Sequence, residues 1–146
     1  MIVLPQNVEQ WKAMVKFLHA KAGVHPSPDL KVVGWASGNR LHCVVGFNWF
    51  IGSVCQIHVA YEDNWKYTPK ELLKVVFEYA FKDAGREMVI GVVNSQNKQA
   101  MIFDKHLGFK ELYRIVGAHD NGGDIVMLGM RKEDCRYLEN ENAEAA

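Results

Sequence analysis

The sequence has no long hydrophobic run. Its richest apolar stretch, 44–51, is interrupted by Asn48, whereas a helix that spans a bilayer needs about 20 consecutive apolar residues. Neither a membrane helix nor a membrane partner is therefore expected. The apolar start at 1–4 has neither the basic leader nor the length of a signal peptide, which predicts a cytoplasmic protein.

The sequence also lacks an excess of charge of either sign. Lys plus Arg and Asp plus Glu number 17 each, so no overall field would hold the protein on a nucleic-acid backbone, and a nucleic-acid partner is not expected. A nucleic-acid adaptor stays an alternative, because Trp35, Trp49 and Trp65 would stack on bases if they were exposed.

Cysteine is scarce and shows no ligand spacing. The three cysteines, Cys43, Cys55 and Cys135, form no Cys-x-x-Cys motif, and two of them lie in apolar segments, which favours structural roles. No His-x-x-x-His spacing supplies a third ligand to the candidate pair His42 and His58. No metal site is predicted.

What the sequence does have is the composition of a folded domain. Its 146 residues are 49% hydrophobic and 23% charged, which is typical of globular chains and unlike disordered ones. The segment 139–146 is acidic and has no apolar period, which predicts a disordered acidic tail. A single domain over 1–138 is expected before that tail.

Capping residues and glycine stops predict three helices. A polar cap before a helical apolar period starts a helix, and a glycine in a left-handed conformation ends it. By this pattern the helices run from Asn7 to Gly23, from Thr68 and Pro69 to Gly85, and from Asn97 to Gly108. Thr68 is predicted to cap the second helix, with Pro69 at its first position.

Strands are predicted between these helices. Short apolar and β-branched runs favour strands over 30–36, 40–47, 51–60, 88–93, 109–116 and 125–130. The first three form an antiparallel meander, and 88–93 is apolar throughout, as in a parallel strand covered on both faces. Together the elements predict a mixed α/β domain of the α+β type.

One segment near the C-terminus carries a recognisable pattern. Asn97 is followed three residues later by Ala100, and a short helix then ends in Leu107-Gly108-Phe109. This segment and the order of the elements resemble the GNAT (GCN5-related) N-acetyltransferases. The short chain, its strand segment 55–58 and its ending at 130–136 also resemble small GNAT-like proteins encoded by tailed phages.

The resemblance implies a fold, a co-substrate and a reaction. In the GNAT acyl-CoA N-acyltransferase fold, acetyl-CoA lies where the central mixed sheet is splayed, here between strands 51–60 and 88–93. A primary amine attacks its thioester directly. The acceptor, a small molecule or a protein, stays unidentified. Small members of the family often pair, so a homodimer is a further expectation.

The same resemblance points to residues that would bind the coenzyme. Backbone groups near Ile57, Val59 and Tyr61 would contact its pantetheine arm, because a strand splayed from its neighbour has unpaired ladder groups. The resemblance also places Asn97 beside that arm. The alternative for Asn97 is that it satisfies the start of its own helix.

The loop expected to bind the pyrophosphate departs from the family pattern. The family carries an Arg or Gln followed by spaced glycines there, but 62–70 contains no glycine. Lys66, Lys70 and the amides at the start of the second helix would form an altered anion site. The alternative is that this site has been lost and the lysines are merely solvated.

The position of the general acid departs as well. Many family members place a Tyr there to protonate the departing thiolate, and this sequence has Asp104. An ionised carboxylate cannot donate a proton, so Asp104 would serve only if burial raised its pKa; the alternative is a surface Asp. Tyr113 and His106 are substitutes by residue type alone.

The candidate bases lie on the splayed strand and at its end. His58 and Glu62 fall on alternate positions with Gln56, on one face of the strand. A neutral histidine suits the removal of a proton from an amine. The alternative is that His58 is a structural residue on the strand face.

Two functions follow from the sequence. The leading hypothesis is a cytoplasmic N-acyltransferase that uses acetyl-CoA, and the alternative is a catalytically inactive GNAT-fold protein that binds or interacts. The two differ in coenzyme binding and turnover. The segments 25–29 and 119–124 are expected to frame the acceptor groove, because loops carry specificity in such folds.

Overall fold

The computed structural model describes residues 1–65 and 67–138. The strands are β1 (Ile2–Val3), β2 (Lys31–Ser37), β3 (Arg40–Ile51), β4 (Val54–Tyr61), β5 (Met88–Asn94), β6 (Lys110–Ile115) and β7 (Ile125–Arg131). The helices are α1 (Val8–Ala22), α2 (Lys70–Glu78) and α3 (Lys98–Leu107), with a π-helical segment at Tyr79–Asp83 and a 3-10 turn at Lys132–Asp134. Lys66 and the predicted tail 139–146 lie outside the described residues.

The strands form one seven-stranded sheet in the order β1-β2-β3-β4-β5-β7-β6. β4 and β5 run parallel, and every other neighbouring pair in this sheet is antiparallel. The connection from β4 to β5 passes through α2, as a parallel pair requires. The predicted meander and the predicted β-α-β unit are confirmed.

Helices cover both faces of the sheet. Successive residues of a strand point to opposite faces, and Val44 and Val45 accordingly belong to different apolar clusters. On one face α1 packs its buried residues, such as Leu18, against Val44. On the other face α2 packs residues such as Phe77 into the cluster that contains Val45.

The predicted boundary between the second and third long strands is wrong. β3 continues to Ile51, and the turn lies at residues 52 and 53 rather than after Phe47. β3 accommodates this length with Trp49 at φ +54. The Asp29 carboxylate accepts a hydrogen bond of 3.3 Å from the Trp49 amide and holds the irregular segment in place.

A β-bulge interrupts the hairpin of β2 and β3. Trp35 pairs with Cys43 while Ala36 pairs with Leu41, so His42 is the extra residue on β3. A bulge bends a strand locally and re-aims a side chain. The buried side chain of His42, 6% exposed, therefore departs from the regular alternation of the strand.

Candidate active site

β4 and β5 separate partway along their length. They pair from Val54↔Met88 to Gln56↔Ile90, after which β4 continues paired with β3 and β5 continues paired with β7. A cavity of about 650 Å³ fills the opening. The splay that the sequence predicted between these strands is confirmed.

Most of the predicted site residues line this cavity. They are His58 and Asp104 among the candidate acids and bases, and Ile57, Val59, Tyr61 and Asn97 among the candidate coenzyme contacts. The structure brings these side chains together from β4, the start of α3 and the middle of α3. Of the other predicted residues within the described part, Glu62, Lys70 and Tyr113 lie outside the lining.

His58 is tied to the neighbouring strand. Its Nε2 lies 2.8 Å from Asn48 Oδ1 on β3, so Nε2 carries a proton and Nδ1 keeps its lone pair. Burial lowers the pKa of His58, because an apolar environment disfavours the charged imidazole. The ring is therefore neutral at neutral pH and able to accept a proton.

Asp104 is the half-buried carboxyl of the opening. Burial raises the pKa of Asp104 to about 6, because desolvation disfavours the carboxylate. From the sequence, Asp104 could act as a general acid only if burial raised its pKa, and this is the case here. The alternative of an ordinary surface Asp is wrong.

Tyr61 and Thr68 form a polar pair that the sequence did not indicate. The Tyr61 hydroxyl lies 2.7 Å from Thr68 Oγ1, and burial raises the pKa of Tyr61 to about 12. The predicted cap is wrong, since α2 begins at Lys70 with Pro69 as its cap residue and without a side-chain cap bond. The Thr68 hydroxyl instead ties the end of β4 to the start of α2.

Glu62 directs its carboxylate away from the opening. Its Oε1 lies 2.6 Å from His42 Nδ1, and its Oε2 accepts a bond of 2.9 Å from Arg40 Nε. These two hydrogen bonds lower the pKa of Glu62. A general base works best with a pKa near the working pH, so His58 is the better suited of the two predicted bases.

Asn97 caps its own helix as well as lining the cavity. Its Oδ1 accepts a hydrogen bond of 3.2 Å from the Ala100 amide, which satisfies one of the unpaired donors at the start of α3. The side-chain oxygen is thereby used. The amide nitrogen is the atom that Asn97 can offer to a ligand in the opening.

The remaining predicted residues lie at the edges. Lys70 is exposed at the first position of α2, Tyr113 is 66% exposed on β6, and His106 is exposed near the end of α3. In the loop between β4 and α2, the Trp65 ring stacks on His42 and contributes to the cavity lining. The loop therefore closes over the β-bulge with an aromatic ring instead of presenting a run of glycine amides.

The predicted hairpin tip 119–124 meets the opening at its rim. The Asp124 amide donates to Ser95 Oγ, 2.8 Å away, just beyond the end of β5. A Cβ atom on Gly123 would lie 2.3 Å from Asn94 Oδ1, so the backbone of the tip packs closely against the Asn94 side chain. The tip is thus fixed next to the end of β5, although the cavity lining includes no residue of 119–124 and none of 25–29.

A second cavity, of about 720 Å³, lies beside α2 near the N-terminal segment. Its lining combines apolar residues such as Trp11 and Phe47 with charged groups on the flank of α2. It is the larger of the two, but neither His58 nor Asp104 lines it. The opening between β4 and β5 is therefore the candidate active site.

The described residues hold neither a cluster of metal ligands nor a helix suited to a membrane. No group of three His, Cys, Asp or Glu side chains there is arranged to hold a metal ion. In the same part of the chain, no helix combines the length and apolar character needed to cross a membrane. Cys43 and Cys55 are buried and unbonded to each other, as small apolar side chains would be.

Solved structures share this architecture at low sequence identity. The spermidine N-acetyltransferase of Vibrio cholerae in complex with CoA and spermine covers 92% of this chain and 96% of its own, with a TM-score of 0.70 and 9% identity. The protein yncA of Salmonella typhimurium, with its cofactor acetyl-CoA, covers 90% and 92%, with a TM-score of 0.69 and 12% identity.

A dodecameric structure of the Vibrio cholerae enzyme covers 86% of this chain and 72% of its own, with a TM-score of 0.63 and 13% identity. No protein-family model and no curated protein matches the sequence. The likeness therefore lies in the path of the chain rather than in its residues. The chain has the fold of the GNAT N-acetyltransferases.

Proposed function

We propose that this protein is an N-acetyltransferase that transfers the acetyl group of acetyl-CoA directly to a primary amine. The observation that carries the proposal is the opening between β4 and β5, with His58 and Asp104 in its wall. The fold supports the choice of co-substrate, because structures with this fold contain CoA or acetyl-CoA.

The exposed edge of β4 suits the pantetheine arm of the coenzyme. β4 leaves β5 after Gln56, so ladder groups of Ile57, Val59 and Tyr61 are the ones we expect to bind the arm's amides. The Asn97 amide nitrogen would add a donor from the opposite wall, since its oxygen already caps α3.

The start of α2 is the proposed anion site. Backbone amides of a first helical turn and the helix dipole attract phosphate. Lys70, at the first position of α2, is exposed and adds positive charge there. Lys66 is proposed as a second cation at this site. Pro69 offers no amide, so the contribution of the helix starts at Lys70.

Two of the titratable groups of the opening, His58 and Asp104, have complementary roles in this proposal. Acetyl-CoA supplies an activated thioester. The Nδ1 atom of His58 would accept a proton from the attacking amine, and the protonated Asp104 carboxyl would donate one to the departing sulfur. A pKa of about 6 leaves roughly a tenth of Asp104 protonated at pH 7.

A second candidate function is an inactive GNAT-fold protein that binds or interacts without turnover. The observation that favours it is the loop between β4 and α2, in which Thr68 bonds to Tyr61 and Trp65 stacks on His42. No glycine amides are available in 62–70 to surround a diphosphate. Coenzyme binding and turnover together separate the two candidates.

The first test is thermal unfolding of the protein with acetyl-CoA, with CoA and ATP as controls. A ligand at about 100 times its Kd adds roughly 2.7 kcal/mol to the stability of the folded state. A rise in Tm with acetyl-CoA and CoA but not with ATP supports the proposed site. No rise at millimolar acetyl-CoA refutes the acetyltransferase and leaves the inactive protein.

The acceptor is sought next by release of free CoA in the presence of amines. Polyamines open the panel, because the fold neighbour from Vibrio cholerae is a spermidine N-acetyltransferase seen with spermine. Small monoamines and a lysine peptide complete it. Thiol release above the rate without amine supports turnover, and its absence with every amine, despite bound coenzyme, supports the inactive alternative.

A homodimer through β6 is part of the proposal. β6 lies at the edge of the sheet, and its Leu112, Tyr113 and Ile115 are all exposed. An apolar edge strand is a template for pairing with another strand. Light scattering of the wild-type protein should give twice the mass of one chain. The double variant Leu112→Lys, Ile115→Lys should give the mass of one chain. A wild-type monomer at micromolar concentration would refute the dimer.

Three narrower predictions accompany this function. A cytoplasmic location, the likeness to small phage-encoded GNAT-like proteins, and a single domain over 1–138 with a disordered tail over 139–146 all remain predictions from the sequence. Limited proteolysis tests the last of these, since a disordered tail is removed first.

A further inference from the structure

Ser37, His42 and Glu62 form a continuous hydrogen-bonded relay outside the cavity. Ser37 Oγ lies 2.8 Å from His42 Nε2, and His42 Nδ1 lies 2.6 Å from Glu62 Oε1. The two ring nitrogens therefore have different partners, a hydroxyl and a carboxylate. This order of groups, hydroxyl to imidazole to carboxylate, is the arrangement that activates a serine for nucleophilic attack.

The fold holds the imidazole of this relay in one orientation. His42 is the extra residue of the β-bulge, and its ring stacks on Trp65 with centroids 4.0 Å apart and planes 6° apart. Its backbone carbonyl accepts a hydrogen bond of 2.9 Å from the Glu62 amide. Glu62 is thus tied to His42 through both main chain and side chain.

The Glu62 carboxylate determines which ring nitrogen of His42 carries the proton. A carboxylate beside Nδ1 fixes the proton there and leaves the lone pair on Nε2 for the serine hydroxyl. Arg40 Nε donates to Glu62 Oε2 over 2.9 Å, and the two hydrogen bonds from His42 and Arg40 lower the pKa of Glu62. Glu62 therefore stays ionised and can stabilise an imidazolium.

The outer end of the relay is open to solvent. Ser37 is exposed at the end of β2, whereas His42 is buried behind it. The hydroxyl is followed by the two-residue turn of Gly38 and Asn39, whose backbone amides follow the nucleophile in the chain. Ser37 lies outside the lining of both described cavities, so a substrate would reach its hydroxyl directly from solvent.

We propose that Ser37 is a nucleophile, activated by His42 and Glu62, that reacts with small activated carboxylic esters and hydrolyses them. Its Oγ forms a bond to the ester carbonyl carbon while its proton passes to His42 Nε2. The ester C–O bond breaks, and the departing alkoxide takes that proton and leaves as the alcohol. Water then attacks the acyl group, its proton passes through His42 back to Ser37 Oγ, and the carboxylic acid is released.

This activity is independent of the proposed acetyl transfer. It uses Ser37, at the end of β2, and no coenzyme, so it can be assayed with acetyl-CoA and amines both absent. The acetyl-CoA binding test and the ester test can therefore fail or succeed separately. Glu62, considered from the sequence as a base for acetyl transfer, serves here as the group that orients His42.

The experiment combines covalent labelling with hydrolysis of 4-nitrophenyl acetate. The full chain is treated with a fluorophosphonate, and its peptides are analysed by mass spectrometry; the label is expected on Ser37. Initial rates of 4-nitrophenyl acetate hydrolysis are then compared among wild type, Ser37→Ala, His42→Gln and Ser53→Ala. Ser53 is an exposed serine in the turn between β3 and β4 and is the matched control.

Loss of the nucleophile or of its base should lower the rate on the order of 100-fold. That loss is expected for Ser37→Ala and His42→Gln, while Ser53→Ala keeps the wild-type rate. His42 is buried, so its replacement also perturbs the packing. The decision therefore rests on Ser37→Ala, which removes one exposed hydroxyl, and Glu62→Gln, which should also lower the rate, is the second test of the relay. Equal rates for wild type and Ser37→Ala, or a label on other residues only, overturn the proposal.

Discussion

His58 Nε2 lies 2.8 Å from Asn48 Oδ1, on the strand next to its own, at the wall of the opening between β4 and β5. In this hydrogen bond Nε2 donates its proton to the Asn48 side chain, so Nδ1 is the ring nitrogen that can accept a proton. Orientation of the imidazole by a neighbouring group is a common feature of catalytic histidines. The pair therefore permits a test that separates a base from a structural histidine.

Replacement of His58 by Gln should lower kcat for acetyl transfer by about 100-fold, the usual contribution of a general base. The KM for acetyl-CoA should change little, because the proposed coenzyme contacts of β4 are backbone groups. Steady-state kinetics with the best amine of the panel measures both constants. Asn48→Ala is the companion variant and should give a smaller loss, since it frees the ring without removing it. An unchanged kcat in His58→Gln would make the residue structural.

The pH dependence of the rate follows from the same histidine. Burial lowers the pKa of His58 from 6.5, so the neutral base is present above this lowered value and is lost as the pH falls through it. The limb of the profile on which the rate rises with pH should therefore have its midpoint below 6.5. A profile of kcat/KM against pH for wild type and Asn48→Ala measures this. A limb with its midpoint above 6.5 would point to a different base.

Asp104 should reduce the stability of the protein at neutral pH. Its pKa is about 6 in the folded state against 3.8 for an ordinary Asp, so the folded state binds the proton more tightly than the unfolded state. This tighter proton binding stabilises the folded state at low pH, and the stabilisation is lost as the pH rises from about 4 to about 6. At pH 7 the ionised group costs up to about 3 kcal/mol.

Asp104→Asn, which keeps the shape and removes the charge, should therefore raise the free energy of unfolding at pH 7 and change it little at pH 4. Urea denaturation at both pH values measures the difference. Asp120→Asn, at an exposed position in the hairpin tip, is the matched control and should show no such contrast. An equal gain in the free energy of unfolding at both pH values would mean that burial does not raise the pKa of Asp104.

Gly123 packs closely against the Asn94 side chain. A Cβ atom there would lie 2.3 Å from Asn94 Oδ1, which accepts a hydrogen bond of 3.1 Å from the Gln96 amide, and φ at Gly123 is not in the left-handed region. Gly123→Ala should therefore destabilise the protein by about 1–3 kcal/mol through overpacking alone. Thermal and urea unfolding measure the loss. In Gly91→Ala the new Cβ would meet only one atom, at 3.8 Å, so a smaller loss is expected.

The sequence predicted the elements that depend on local signals. Asn7 caps α1 through its side chain, and Gly23 and Gly108 end their helices in the left-handed conformation, as their residue types require. The separation of β4 from β5 was predicted through the family resemblance. The helix ends could be predicted because residues close in the chain determine them. The strand separation could be predicted because the sequence resembles a family whose fold is known.

The sequence could not predict contacts between distant segments. Thr68 has the residue type of a helix cap, but Tyr61 satisfies its hydroxyl, and only the packed fold brings the two together. The burial that raises the pKa of Asp104 likewise comes from tertiary packing around α3. The bulge that aligns His42 between Ser37 and Glu62 depends on strand register, which no local pattern in the hairpin indicated.

Asn97 has two roles that substitution can separate. Its oxygen caps α3, and its amide nitrogen is the proposed contact with the coenzyme. Asn97→Ser keeps a good capping oxygen and should leave the free energy of unfolding within a few tenths of a kcal/mol, whereas Asn97→Ala should lower it by about 1 kcal/mol. Both variants lose the nitrogen, and each should bind acetyl-CoA about fivefold more weakly, as expected for one hydrogen bond of about 1 kcal/mol. Urea unfolding and calorimetric titration measure the two quantities separately. If Asn97→Ser binds acetyl-CoA as tightly as wild type does, Asn97 serves the helix alone and the coenzyme contact is refuted.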